Sequence, residues 1–177
     1  DVSSGNRPAS DPAMWRLIAE TGAACVLMHI QGAPQTMQHN PQYTDVVAEV
    51  GQLFDQRLEL LARHGVKPEQ VALDPGIGFG KNVEHNLQLL AHWSHFRQWN
   101  RPLVLGVSRK SFLGRVSESG ASSAADRLAP SLACASWAVA QGAGADIIRC
   151  HDVAETRQAA RMIEALKARA PAAPVNS

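Results

Sequence analysis

Two rhythms of apolar positions alternate along the chain. In the first, four short stretches are apolar almost without a break: AACVLMHI at 23–30, VALDP at 71–75, PLVLGVS at 102–108 and ADIIRCH at 145–151. Runs of this length without polar alternation read as strands buried on both faces. In the second, apolar residues recur at helical spacing. Within 44–65, Val47, Val50, Phe54, Leu58 and Leu61 share one face, and Gly65 ends the helix. Further helices are predicted over 83–96, where Asn82 can cap the first turn, and over 153–170. Residues 123–142 also read as helix, although Pro130 should break or kink it. One more helix, 12–21, precedes the first strand. The order is a helix and then four βα units, which implies a parallel sheet covered by helices.

No shift in composition divides the chain. Residues 1–170 read as one domain, and the polar PAAPVNS at 171–177 as a flexible tail. Four βα units fit either a small doubly wound sheet or half of a (β/α)8 barrel, a fold of about 250 residues. The length of 177 residues favours the open sheet, and the placement of polar residues favours the barrel.

Bulk properties narrow the function classes. Hydrophobic residues make up 45%, charged residues 19%, and the formal net charge is +1. Without a basic excess, no broad attraction to nucleic acid is expected. Apolar runs such as LACASWAVA are far too short to span a membrane, and no secretory signal is visible. Cys25, Cys134 and Cys150 fit no metal spacing and read as reduced thiols, which places the protein in a reducing cytoplasm.

Polar residues collect at the same end of each predicted strand. The first ends in Met28-His29, the second in Asp74, the third in Ser108-Arg109-Lys110-Ser111, and the fourth in Arg149, His151 and Asp152. In a parallel sheet these ends share one face, the face on which α/β folds bind ligands. The stretch VALDPGIGFGKN looks at first like a phosphate loop. A P-loop needs glycine five residues before its Gly-Lys pair and Ser or Thr after it; here those positions hold Pro75 and Asn82. The dinucleotide fingerprint also fails, because Gly76, Gly78 and Gly80 are evenly spaced. The glycines then serve to bring backbone close to a ligand or through tight turns. Asp74 can cap a turn or pair with a cation. It can also accept two parallel hydrogen bonds from a flat, nitrogen-rich ring.

Four motifs, LMHIQGAPQTMQ, LDPGIGFGKNVEHN, LGVSRKSFLG and IIRCHDV, occur in this order at family-like separations. Together they resemble dihydropteroate synthase of the bacterial folate pathway, over nearly the whole chain. The resemblance implies a TIM-type (β/α)8 barrel. It implies an enzyme, a transferase that joins 6-hydroxymethyl-7,8-dihydropterin pyrophosphate to 4-aminobenzoate, giving 7,8-dihydropteroate and pyrophosphate. It also implies a magnesium ion, a homodimer and a sulfonamide target. By motif match, Asp74 would hold the amino-pyrimidine edge of the pterin. Lys110 would bond the pterin ring and border the aminobenzoate pocket, which Phe79 lines and where Ser111 binds the carboxylate. Arg149 and His151 would form the pyrophosphate site, with Arg149 also stacking on the pterin. Lys110, Arg149 and His151 are thus the implied catalytic group.

The front of the chain departs from the family. Asp1-Val2-Ser3 matches the tail of the family's fourth strand, and the asparagine expected just before it is absent. In the family the earlier part supplies the first strands, that magnesium-binding asparagine, a second pterin-binding aspartate and two mobile loops. The chain therefore resembles the C-terminal half of the barrel, with no magnesium ligand of its own, and by itself is expected to turn over little or nothing.

Alternatives remain. A non-catalytic pterin-binding module, or a corrinoid methyltransferase domain on the same barrel, would have no need of the SRKS motif. A Schiff-base aldolase would use Lys110 as its nucleophile. His29 reads as a structural or pocket-wall residue. His85, His92 and His95 read as the solvated face of one helix, and Trp93, Trp99 and Trp137 as packing residues. Cys150 should alternate away from Arg149 and His151 along its strand.

Overall fold

A computed structural model describes residues 12–33, 35–117, 123, 125–141 and 144–170. Helix α1 (Pro12–Thr21) leads into strand β1 (Cys25–Met28). Then follow α2 (Val46–Arg63), β2 (Val71–Asp74), α3 (Val83–Ala91) and β3 (Val104–Leu105). After β3 come α4 (Ser111–Val116), α5 (Leu128–Ala140), β4 (Ile147–Ile148) and α6 (Val153–Lys167).

The strands are parallel. Cys25 lies opposite Val71 and Met28 opposite Asp74, while Val104 lies opposite Ile147. A parallel bridge between Leu73 and Leu103 joins the two pairs, and the Leu73 amide donates to the Pro102 carbonyl at 2.8 Å. The spatial order therefore follows the chain order. Each predicted strand is longer than the ladder formed. Ile30, Leu103 and Val107 are buried without lying in a strand, so the first three apolar runs record burial more faithfully than pairing. The fourth does not, for Ile147 of β4, on the edge of the sheet, is 46% exposed.

The helices follow the apolar stripes. Val46, Val50, Phe54 and Leu61 of α2 are buried, and Asp45 caps its start by accepting from the Val47 and Ala48 amides at 2.9 and 3.0 Å. Asn82 caps α3 through the His85 amide at 2.8 Å. The helix predicted over 83–96 stops at Ala91, and a 3-10 stretch follows, Trp93–Trp99. In that tighter helix residues three apart eclipse, so Trp93 and Phe96 both enter the core. Phe96 meets Phe54 edge-on and stacks on Trp99.

Pro130 neither breaks nor kinks a helix. It is the third residue of α5, in the first turn, where a missing N–H removes no intrahelical bond. Short helix α4 was not visible in the pattern, since six residues are too few to show a period; it buries Phe112 and Leu113. The third strand is thus followed by two helices rather than one. The segment 171–177 lies outside the described residues. Among the described residues no helix is long and apolar enough to cross a membrane.

Candidate functional site

Parallel strands deliver their C-terminal ends to one face, and that face carries the polar residues. Asp74, the last residue of β2, is 4% exposed. Its Oδ1 accepts from the Gly76 amide at 2.8 Å. Burial pushes this carboxyl up, while the Gly76 bond and the cations Lys110, Arg149 and Lys81 pull it down. The glycine loop after β2 runs where no side chain fits. Gly76 has φ 72°, and a Cβ there would collide with the His29 carbonyl. Gly78 has φ 80°, and a Cβ there would lie 2.6 Å from Lys110 Cδ. The glycines thus let the loop press against the end of β1 and the stem of Lys110.

Lys110 stands between two cavities. One, of about 340 Å³, is lined by Gln38, Phe79, Lys81, Ser111 and Arg115 among others, together with Lys110. The other, of about 320 Å³, is lined by Gly106, Ser108, Lys110, Arg149, Cys150 and His151. The Lys110 ammonium donates to the Ile77 carbonyl and sits 4.1 Å from the centroid of the Phe79 ring. Burial lowers it to about 8; nearby Asp74 opposes that shift and Arg149 adds to it. Asp74 lines neither cavity.

The loops after β3 and β4 are fastened together. Ser108 Oγ lies 3.0 Å from His151 Nδ1. Arg109 forms a two-point pair with Asp152, and this bond holds the Asp152 carboxyl below the usual carboxylate range. Arg109 itself has φ 60°, its amide donates to Ser131 Oγ at 3.0 Å, and its carbonyl accepts from Arg127 Nη1 at 2.9 Å. Four bonds thus hold the residue just before Lys110.

The family model described as pterin binding enzyme matches residues 1–151. The chain belongs to the family of pterin-binding enzymes. It is 47% identical over 159 residues to dihydropteroate synthase of Escherichia coli K12, which covers 90% of this chain and 55% of that protein. The chain thus spans about half the length of the curated relatives it matches. The structure of Yersinia pestis dihydropteroate synthase with a sulfonamide drug superposes with a TM-score of 0.86 at 39% identity, covering 96% of this chain and 59% of that one. Dihydropteroate synthase from Thermus thermophilus in complex with 6HMPPP gives 0.83 at 39% identity, covering 94% and 63%.

Phe79, Lys110 and Ser111 come together at the larger cavity, and Lys110, Arg149 and His151 at the smaller. Several neighbours escaped the sequence reading. Lys81, considered there only as a P-loop lysine, is 3% exposed, with Nζ 2.9 Å from His29 Nδ1 and 3.0 Å from the Phe79 carbonyl. Burial lowers this ammonium to about 7. Burial and Lys81 together lower His29 to about 3, so the ring is neutral. Asn86 and Gln38 grip Gly78, the first accepting from its amide and the second donating to its carbonyl, both at 2.6 Å. A lysine directly after a glycine run was the available signal for Lys81; nothing local marked the others.

Three expectations are corrected. Cys150 lines the cavity with Arg149 and His151, because β4 ends at Ile148 and strand alternation no longer applies. His85, His92 and His95 do not share one helix. His85 belongs to α3 and meets the Tyr43 ring edge-on at 4.8 Å, His92 ends that helix, and His95 lies in the 3-10 stretch. Trp137 is 52% exposed, although its indole N–H donates to the Leu90 carbonyl at 3.0 Å.

Magnesium takes oxygen ligands in an octahedral shell. Among the described residues no group of three or more His, Cys, Asp or Glu could hold a metal ion. The smaller cavity presents the nitrogen groups of Lys110, Arg149 and His151 and a single hydroxyl, that of Ser108, with no carboxylate. These residues do not by themselves fit magnesium.

Proposed function

We propose that this chain forms the C-terminal half of a (β/α)8 barrel and carries most of a dihydropteroate synthase site. The observation that carries this reading is Lys110, which stands on the wall of both cavities. A condensation needs two substrates held against each other, and one residue bordering both pockets is where they would meet.

In this reading the pterin pyrophosphate places its diphosphate by Arg149 and His151 in the smaller cavity. The carbon–oxygen bond to pyrophosphate breaks and its electron pair leaves with the diphosphate, where Arg149 and Lys110 offset the growing charge. The 4-aminobenzoate nitrogen, held in the larger cavity beside Phe79 with its carboxylate at Ser111, bonds to the exposed methylene. The nitrogen then releases a proton to solvent. Asp74 accepts from the amino-pyrimidine edge and so orients the ring. The arylamine is nucleophilic without a strong base, so positioning and electrostatics account for the site. A homodimer and a reducing cytoplasmic setting belong to the same proposal, and the three free thiols agree with the latter.

Calorimetry of the pterin pyrophosphate against this chain, with and without Asp74→Asn, tests the pocket, and an assay of the full-length protein for dihydropteroate tests the reaction. Repeating the assay with a chelator tests the magnesium requirement. Pterin binding that survives Asp74→Asn unchanged would sink the assigned role of Asp74. Tight binding with no product in the full-length protein would favour the non-catalytic module.

A further inference from the structure

Among the described residues, Lys81 is the only lysine or arginine that is buried. Removing an ammonium from water costs several kcal/mol unless partners replace the solvent. Among the described residues no carboxylate forms a direct ion pair with it, and Asp74 attracts it only through space. Its Nζ instead bridges two parts of the site, His29 at the end of β1 and the carbonyl of Phe79 in the glycine loop. An ammonium only donates, so both groups accept, and the neutral His29 ring presents a bare Nδ1. The Tyr43 ring lies 5.9 Å from Nζ on a further side.

The loop is tethered at several points, each by a different group. Asp74 holds the Gly76 amide, and Asn86 and Gln38 hold Gly78. At Phe79 the amide donates to the Gly76 carbonyl at 3.0 Å, and the carbonyl receives Lys81. The ring of that same residue covers the Lys110 ammonium. A side chain filling space alone would be apolar; this one donates to a single carbonyl and a neutral imidazole, with the Asp74 carboxylate attracting it through space.

We propose that Lys81 is a positioning residue: by holding the Phe79 carbonyl it seats the Phe79 ring over Lys110 and so shapes the larger cavity for an aryl ligand. The kinetic consequence rests on the function proposed above, but the structural claim does not.

The test compares the full chain with Lys81→Met, Phe79→Ala and the double variant. Each is treated briefly with an amine-acetylating reagent, and acetylation of Lys110 is followed by mass spectrometry. With Phe79 unseated, Lys110 should react about fivefold faster in Lys81→Met and in Phe79→Ala, and the double variant should add nothing further, since both act on one contact. Circular dichroism checks that each variant is folded, and Lys81→Gln replaces Lys81→Met should the latter not fold. Parent-rate acetylation of Lys110 in a folded Lys81 variant overturns the proposal, as do fully additive effects. In the synthase assay, Lys81→Met should raise KM for 4-aminobenzoate about tenfold while moving KM for the pterin substrate far less. The kinetics are read in the full-length protein, because this chain alone is expected to turn over little or nothing. If the full-length protein makes no dihydropteroate, the proposed function fails, and the acetylation result still decides the role of Lys81.

Discussion

Arg109 and Asp152 meet at two points, Nη2 to Oδ1 at 2.5 Å and Nε to Oδ2 at 3.1 Å, across 43 residues of chain. The pair joins the loop that carries Lys110 and leads into Ser111 of α4 to the loop that carries Arg149 and His151. A planar guanidinium fixes orientation as well as distance, which a lysine does not reproduce. Asp152→Asn and Arg109→Lys should each weaken pterin pyrophosphate binding by about tenfold, and the double variant by little more, because both break one link. Calorimetry on the four proteins checks this, and independent, additive losses would refute the link.

Protonation of Lys81 and His29 should shape stability against pH. Lys81 falls from 10.5 to about 7 on folding, so between those values the folded state binds fewer protons than the unfolded. Stability should therefore rise as pH rises through that window, and Lys110, lowered to about 8, acts in the same direction. Lys81→Met should be more stable than the parent near pH 7, with the difference fading toward pH 10. Denaturant melts at several pH values would show it.

The acid side follows the same rule. His29 falls from 6.5 to about 3, so folding excludes a proton there and stability drops as pH falls through that range. Asp74, raised by burial, works in the opposite direction, so the two are separated only by variants. His29→Gln should flatten the loss relative to the parent. Parallel curves for the two proteins would show that the imidazole does not carry it.

Gly76 combines a left-handed backbone with packing against the His29 carbonyl, just after β1, that leaves no room for a Cβ. Gly76→Ala must move the loop or the strand end, at a cost of about 2 kcal/mol or more. Thermal melting should show the loss, and pterin binding should fall with it, since the same glycine amide holds Asp74.

Lys110→Met should weaken binding at both cavities, whereas Ser111→Ala should weaken only the arylamine side. Separate titrations with pterin pyrophosphate and 4-aminobenzoate distinguish the two patterns. Equal effects of both variants on both ligands would contradict the shared wall.

Much of this protein could be read from its residues in order. Apolar runs and helical stripes named the strands, the long helices and their parallel arrangement, because burial on two faces or one leaves a local period. Asp74, Lys110, Ser111, Arg149 and His151 stood out because they close such runs. Tertiary structure decided what local pattern does not encode. Lys81 and His29 meet across 52 residues, and only the fold shows that a lysine after a glycine run turns inward rather than to solvent. The 3-10 turn that places Trp93 and Phe96 together depends on the core they fill, not on their own propensity. Whether Cys150 faces the site depended on where β4 stopped pairing, which its neighbouring strand sets. Periodicity reports which side of an element is buried; which groups face each other there is fixed by packing between segments distant in the chain.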